Sequence, residues 1–499
     1  MDPDEDIVSI RRLPEDDLNV REVRISCPDA TGLGVDLTRV LLDFGLRILQ
    51  GDISTDGKWC FMVFRVQLSS GVPPRWQLLR ARLGSMCPNG TAALDALWRW
   101  RSLPKEHPPF LLQVASYDRQ GMLHSLTHVL WESDATVFKA HITTSPSGDV
   151  ADMFWLYDNR NELPEHHRAL EICDRVKGVL GPDTECSISL APLDSIAEGP
   201  SLVRRKACKD AVSFSNLRSI MTRRRTAERP VPVPVPAEVS PRLAGAAAAA
   251  RDAWSDRPSA VTVSVDNETS PSYTMLSLEC ADRKGLLYDI LRALKGVDLR
   301  VAYGRLEVDE DGAGLGVTID IFIQDNDLCR INDPDALEEV KRRVELAVTL
   351  PVRITLRDVF DACCTELVVT APLDTGGRGR PRVTFDVTQA LSVAGLGVFM
   401  ADVFIESVSM DADEGEAQEL HRFLIHLPNG QPIRSDRDKK AVYDVVKAQL
   451  LGSRLEVHPP SPPSGAGPGG KGGLRRVTSE LHEVPSSLLR NLEDRWQFG

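Results

Sequence analysis

The chain has 499 residues, 42% of them hydrophobic and 26% charged, which is enough apolar material for several compact cores. A net charge of −13 excludes a fold-wide basic footprint for nucleic acid, and no run of about 18 apolar residues suggests a membrane span. The acidic start, Met1 to Asp6, lacks an apolar h-region, so no secretory or Arg-rich transit leader is expected and the compartment reads as cytoplasmic and/or nuclear.

Residues 1–19 read as a flexible N-terminus. One grammar then recurs four times, and a repeat of this kind fixes the architecture. The first copy, 20–108, opens with the strand Val23–Cys27 and the turn Asp29-Ala-Thr-Gly32. Leu37 and Leu41 follow on one helix face; next come a hairpin through Asp56-Gly57 and a helix from Trp76 to Leu83. Its closing strand is unclear because of the stretch Trp98-Arg-Trp100. The second copy, 109–191, has Leu111–Ala115, Asp118-Arg-Gln-Gly121, Leu126 and Leu130, a turn at Ser147-Gly148, a helix from Pro164 to Leu180 and a last strand, Glu185–Leu190.

Residues 192–272 hold Arg204-Arg-Lys206, the alternating run Pro230 to Pro236 and an Ala tract, and read as a spacer, mobile apart from local helix, that divides the array two and two. The third copy, 273–358, has Met275–Cys280, Asp282-Arg-Lys-Gly285, Ile290 and Leu294, a turn near Asp311-Gly312, a helix from Asp335 to Val348 and a closing strand at Val352–Leu356. The fourth, 363–457, begins with Leu367–Ala371 and places Val387 and Leu391 correctly only if Arg382 takes the Gly slot. It turns around Asp413-Glu-Gly415, continues with a helix from Asp436 to Leu450 and closes at Arg454–Val457. A Pro/Gly linker, 458–477, and an amphipathic helix over 478–499 end the chain. The order predicts α+β modules of βαββαβ type, with helices on one face of an antiparallel sheet. Each pair of modules is expected to join its sheets into one eight-stranded sheet, with the short connections pairing neighbours in sequence.

The turn has chemistry as well as shape. A strand running straight into a helix presents unpaired N–H groups and a positive dipole end, suited to a carboxylate. Gly permits positive φ and leaves room beside the backbone, and the Asp is expected to cap the helix. Asp36, Asp289 and Asp386 recur in the first helical turn, where they are expected to stabilise the dipole.

Asp282-Arg-Lys-Gly-Leu-Leu-Tyr-Asp289, Asp118-Arg-Gln-Gly-Met-Leu-His124 and Cys27-Pro-Asp-Ala-Thr-Gly-Leu33 resemble the strand-to-helix signature of ACT domains. Four copies in one chain, with Cys27 and Cys280 ending their strands, resemble the plant ACT-domain-repeat proteins. That resemblance implies a non-catalytic regulatory protein that binds a free amino acid where modules pair, through Asp29, Gly32, Asp118, Gly121, Asp282 and Gly285. The lengthened loop Asp374 to Pro381 and Arg382 put repeat four outside this set.

Other signals are weaker. Ten scattered cysteines form no zinc spacing, and Gly465 to Gly472 imitates a phosphate-binding loop without the Ser or Thr that would hold magnesium, so no metal and no cofactor is expected. Trp59-Cys-Phe-Met-Val-Phe64 permits an RNA-recognition reading, but no basic-Gly-aromatic opening recurs in the other copies. Thr226, Thr478 and Ser479 follow basic runs that suit phosphorylation, and the first run also suits a nuclear signal. The partners expected are a free amino acid and a regulated protein of unknown identity, with homodimerisation through sheet edges. The rival class is a ligand-free interaction scaffold.

Overall fold

The computed structural model describes residues 7–13, 19–68, 75–88, 109–144, 148–160, 162–192, 241–255, 261–308, 316–359, 364–406 and 417–452. Repeat one comprises β1 (Val8–Arg11), β2 (Val20–Pro28), α1 (Leu33–Asp43), β3 (Leu46–Thr55), β4 (Trp59–Leu68) and α2 (Trp76–Met86). Repeat two comprises β5 (Phe110–Tyr117), α3 (Met122–Glu132), β6 (Ala135–Thr144), β7 (Asp149–Asp158), α4 (His166–Leu180) and β8 (Glu185–Leu190). After α5 (Pro241–Ser255), repeat three comprises β9 (Thr262–Asp266), β10 (Thr274–Ala281), α6 (Leu286–Lys295), β11 (Arg300–Val308), β12 (Gly316–Gln324) and α7 (Pro334–Thr349). Repeat four comprises β13 (Arg353–Val359), β14 (Cys364–Pro372), α8 (Val383–Ala394), β15 (Gly397–Glu406), β16 (Gln418–His426) and α9 (Asp436–Leu451).

The helix-one pairs named from sequence are the centres of the cores. Leu37, Leu41, Leu126, Leu130, Ile290, Leu294, Val387 and Leu391 are at most 1% exposed. Burying each is worth about 1.5–3 kcal/mol, which fixes the helices to their sheets. Gly57 takes φ +85° at the first hairpin, and the Asp56 carboxylate accepts from the N–H groups of Lys58 and Trp59, the turn chemistry its sequence demands.

Two antiparallel eight-stranded sheets result, with strand orders β1-β2-β4-β3-β11-β12-β10-β9 and β13-β14-β16-β15-β6-β7-β5-β8. Repeat one is therefore joined to repeat three, and repeat four to repeat two. This corrects the pairing of sequence neighbours. In the first seam Tyr303 faces Ser54 and Glu307 faces Gln50; in the second Met400 faces Thr143 and Val403 faces Ala140. Chain proximity is a weak constraint here, because lengthening a connection adds little closure entropy while seam register and helix packing decide the partner. Helix α1 packs on α6 and α3 packs on α8.

Three further expectations are corrected. Residues 1–19 were expected to be flexible, yet β1 pairs with β2 and Val8 is 1% exposed. The spacer assigned to 192–272 includes α5, which packs on α8 and α9 of repeat four and buries Leu243, Ala247 and Ala250 there, and β9, which pairs with β10. The strand expected to close repeat three pairs with β14 instead, so it edges repeat four. Among the described residues, repeats one, three and four take the edge strand from upstream of their first core strand, and repeat two takes it from downstream. Residues 193–240, the Trp98-Arg-Trp100 stretch, Arg454–Val457 and the helix expected over 478–499 lie outside the described residues.

The crossed pairing has a testable consequence. With a specific-protease site engineered between residues 200 and 230, the cut chain should elute at the size of the intact protein, because each sheet contains strands from both fragments. Separation into two halves without denaturant would contradict the strand order. Size-exclusion chromatography of the cut protein decides.

Candidate functional site

All four strand-to-helix turns share one backbone form. Gly32, Gly121 and Gly285 occupy the helix N-cap with φ of +84°, +78° and +76°, and Arg382 adopts φ +66° at the same position. The periodicity thus located the slot even where the residue was wrong for it, since a non-Gly residue there bears about 1–2 kcal/mol of strain. Arg382 is held by its surroundings, lying over the rings of Trp131 and Phe385 at 4.8 and 4.4 Å. The expected Asp caps are absent at all three turns, because the left-handed Gly, three residues later, is the N-cap.

Each turn faces the end of its partner repeat's first helix, and the four differ in what fills that space. At the repeat-one turn, only about 60 Å³ remains beside Asp29 and Gly32. The Lys295 side chain at the end of α6 lies where a Cβ on Gly32 would stand, and Arg300 comes within 4.0 Å of Asp29. At the repeat-three turn about 20 Å³ remains. Arg47 forms an ion pair with Asp282, and Arg380 donates to the Lys284 carbonyl at 2.9 Å and lies over Gly285. Lys284 reaches the opposite way, to Asp386 of repeat four at 2.5 Å, while its N–H donates to the Leu451 carbonyl at 3.0 Å. Side chains of other repeats therefore occupy the ligand positions expected at Asp29/Gly32 and Asp282/Gly285.

Asp36, Asp289 and Asp386 lie in the first helical turns, where they were expected, and each also pairs with a cation. Asp36 pairs with Arg378 at 2.7 Å, Asp289 with Arg283 at 2.5 Å and Arg380 at 3.2 Å, and Asp386 with Lys284. In repeat four, Asp374 folds its loop by accepting from the N–H groups of Gly376 and Arg378, both at 2.9 Å.

The repeat-two turn is different. A cavity of about 280 Å³ opens between it and the end of α8, bounded by Ser392, Gly395 and Val398. The N–H of Met122 bonds to Arg119 and that of Ser125 to Gly121, but those of Leu123 and His124 have no acceptor among the described residues. On the same cavity lie two acids, Asp118 and Asp152; neither forms an ion pair with a Lys or Arg among the described residues, and His426 lies on the cavity with them. Burial pushes both carboxyls above the usual range. For Asp118, His426 opposes the shift; for Asp152, which is 1% exposed, the Thr143 N–H opposes it and Asp118 adds to it. Burial and His128 hold the His124 imidazole down to about 4, so it is neutral, and its Nδ1 has no partner. This arrangement suits a zwitterion, with free amides at a dipole's positive end for a carboxylate and two acids for an ammonium, Asp152 buried and Asp118 exposed. Sequence reasoning found Asp118 and Gly121 and missed Asp152. Its signal was a lone acid within the apolar run Val150-Ala-Asp-Met-Phe-Trp-Leu156.

Among the described residues, no group of three His, Cys, Asp or Glu side chains could hold a metal ion, and no helix is long and apolar enough to cross a membrane. Eight cysteines are free there, most of them buried, and burial pushes the Cys280 thiol up to about 11.

The turns, the paired sheets and the four-fold repeat define a regulatory ACT-domain protein. Residues 13–88 match the model of the N-terminal region of ACT domain-containing protein ACR10, residues 262–359 an ACR9-like ACT-like domain, and residues 365–452 the C-terminal region of ACR9. ACT domain-containing protein ACR9 of Arabidopsis thaliana is 33% identical over 437 residues, covering 86% of this chain and 94% of its own length. ACR10 of the same plant is 32% identical over 427 residues, covering 84% and 93%. The chain belongs to the plant ACR family of ACT-domain proteins. A solved aspartate kinase from Synechocystis is 12% identical, covers 87% of this chain and 55% of its own, and has a TM-score of 0.14, too low to carry an argument.

Proposed function

We propose that the protein is a non-catalytic amino-acid sensor whose binding site is the repeat-two turn, and that a bound amino acid regulates a partner protein. The observation that carries this reading is the pairing of unbonded turn amides with two acids, neither ion-paired to a Lys or Arg, on one cavity between repeats two and four. The ligand's carboxylate would accept from the N–H groups of Leu123 and His124, its ammonium would neutralise Asp118 and Asp152, and its side chain would lie toward Val398. Such a ligand bridges two modules across a seam and would therefore bias how they pack. The turns of repeats one and three, already filled by Lys295, Arg47 and Arg380, are assigned to structure.

The acids supply the test. Both carboxyls have raised pKa values in the free protein, and an ammonium favours their ionised forms, so binding expels protons and affinity is lost as pH falls through the raised carboxyl range. Titrations from neutral pH down toward the ordinary carboxyl value of 3.8, in buffers of different ionisation enthalpy, should show weaker binding at the acid end and proton release. Affinity that is flat across this range, with no proton release, would remove the two acids from the site.

A further inference from the structure

Helices α1 and α2 of repeat one face the α3–β6 corner of repeat two and the loop of repeat four around a second cavity, of about 520 Å³. Its size lies within the range of small-molecule sites and exceeds that of the repeat-two turn. Charged groups from all four repeats meet on it. Arg82 stands 3.5 Å from both Asp43 and Asp134, beyond good hydrogen-bond geometry, and its Nε has no partner. The Arg382 side chain is 2% exposed, also has an unpartnered Nε, and reaches the Asp43 carbonyl from the opposite side at 3.3 Å. Arg75 stands at the rim, and Arg160 approaches Asp134 at 3.7 Å. The guanidiniums of Arg82, Arg160 and Arg382 thus approach Asp43 and Asp134, each keeping an unpartnered Nε, while Asp36, Glu132, Asp158 and Glu419 also line the cavity. Burial drives the Asp43 carboxyl upward, opposed by Arg82, Arg39 and Arg382. Aromatic side chains line part of the wall, with the Phe138 and Tyr157 rings 4.8 Å apart and Trp131 on the same cavity.

We infer that this cavity is a second ligand site, separate from the amino-acid site, that takes an aromatic anion: a flat ring against Phe138, Tyr157 and Trp131, with a carboxylate or phosphate held by Arg82 and Arg382. Guanidinium forks bind either oxyanion, and aromatic faces hold a planar ring. This inference does not rest on the amino-acid reading, because the two cavities are lined by different turns.

The full chain would be titrated with adenosine monophosphate and with indole-3-carboxylate, which separate the phosphate and carboxylate forms, and with inorganic phosphate alone. At least one ring-bearing probe should bind with Kd below about 1 mM, and Arg82→Gln should weaken it about tenfold or more. Phe138→Ala, which changes no charge, should weaken it as well, and Gly121→Val should leave it unchanged. Failure of both ring-bearing probes to bind would overturn the assignment. So would inorganic phosphate binding as tightly as the nucleotide, or binding indifferent to Phe138→Ala and to Arg82→Gln. If Arg82→Gln does not fold, the Phe138→Ala result decides.

Discussion

Lys284→Met should destabilise the folded chain by about 3–5 kcal/mol, the usual cost of stranding one partner of a buried ion pair. Lys284 and Asp386 are 3% and 0% exposed, and their contact ties the repeat-three turn to the first turn of α8. Removing the ammonium leaves Asp386 with Arg382 alone, at 3.5 Å. The double change Lys284→Met/Asp386→Leu should recover most of the loss, since an apolar pair of similar volume escapes the desolvation cost. Burial, opposed by Asp386, holds the Lys284 pKa down from 10.5 to about 8. The unfolded chain therefore takes up this proton first as pH falls from 10.5 to about 8, and this group's contribution to stability declines through that window. Denaturant midpoints for wild type, single and double variants, measured on both sides of that window, check the size and the sign. A single variant as stable as wild type would mean that the contact does not hold the two sheets together.

Gly121→Val should abolish amino-acid binding while leaving the fold in place. The new side chain must adopt φ +78°, and its Cβ would lie 3.0 Å from the Ser392 Oγ, inside the cavity. Backbone strain of about 1–2 kcal/mol is expected, more for a β-branched residue. Displacing a carboxylate from two amides forfeits charge-assisted hydrogen bonds worth about 1.5–3 kcal/mol each, so affinity should fall about 100-fold or more. Thermal unfolding with and without ligand reads both effects, because a bound ligand stabilises the folded chain by mass action. Ligand-dependent stabilisation that persists in this variant would place the site elsewhere.

Much of this architecture was legible in the sequence because its signals are local. The Asp-x-x-Gly turns, the buried i, i+4 pairs such as Leu126 and Leu130, and the Asp56-Gly57 hairpin each depend on a few adjacent residues. The arrangement of the repeats was not legible, because nothing near Tyr303 specifies that it will face Ser54 two repeats away. Thr262-Val-Ser-Val-Asp266 is short and only partly apolar, and it reads as a strand only once the edge of β10 is there to receive it. For the site the same distinction holds. Gly32, Gly121 and Gly285 are equivalent in sequence and in φ, yet Lys295 and Arg380, far along the chain, fill two of the three turns. Local pattern identifies a turn capable of binding, and long-range packing decides which turn stays open.

Calorimetric titration of the full-length chain with each of the twenty common amino acids tests this account most directly. It predicts saturable binding by one or a few of them, at one site per chain, supplied by the repeat-two turn. No binding at millimolar concentration, or occupancy of three or four equivalent sites, would contradict it.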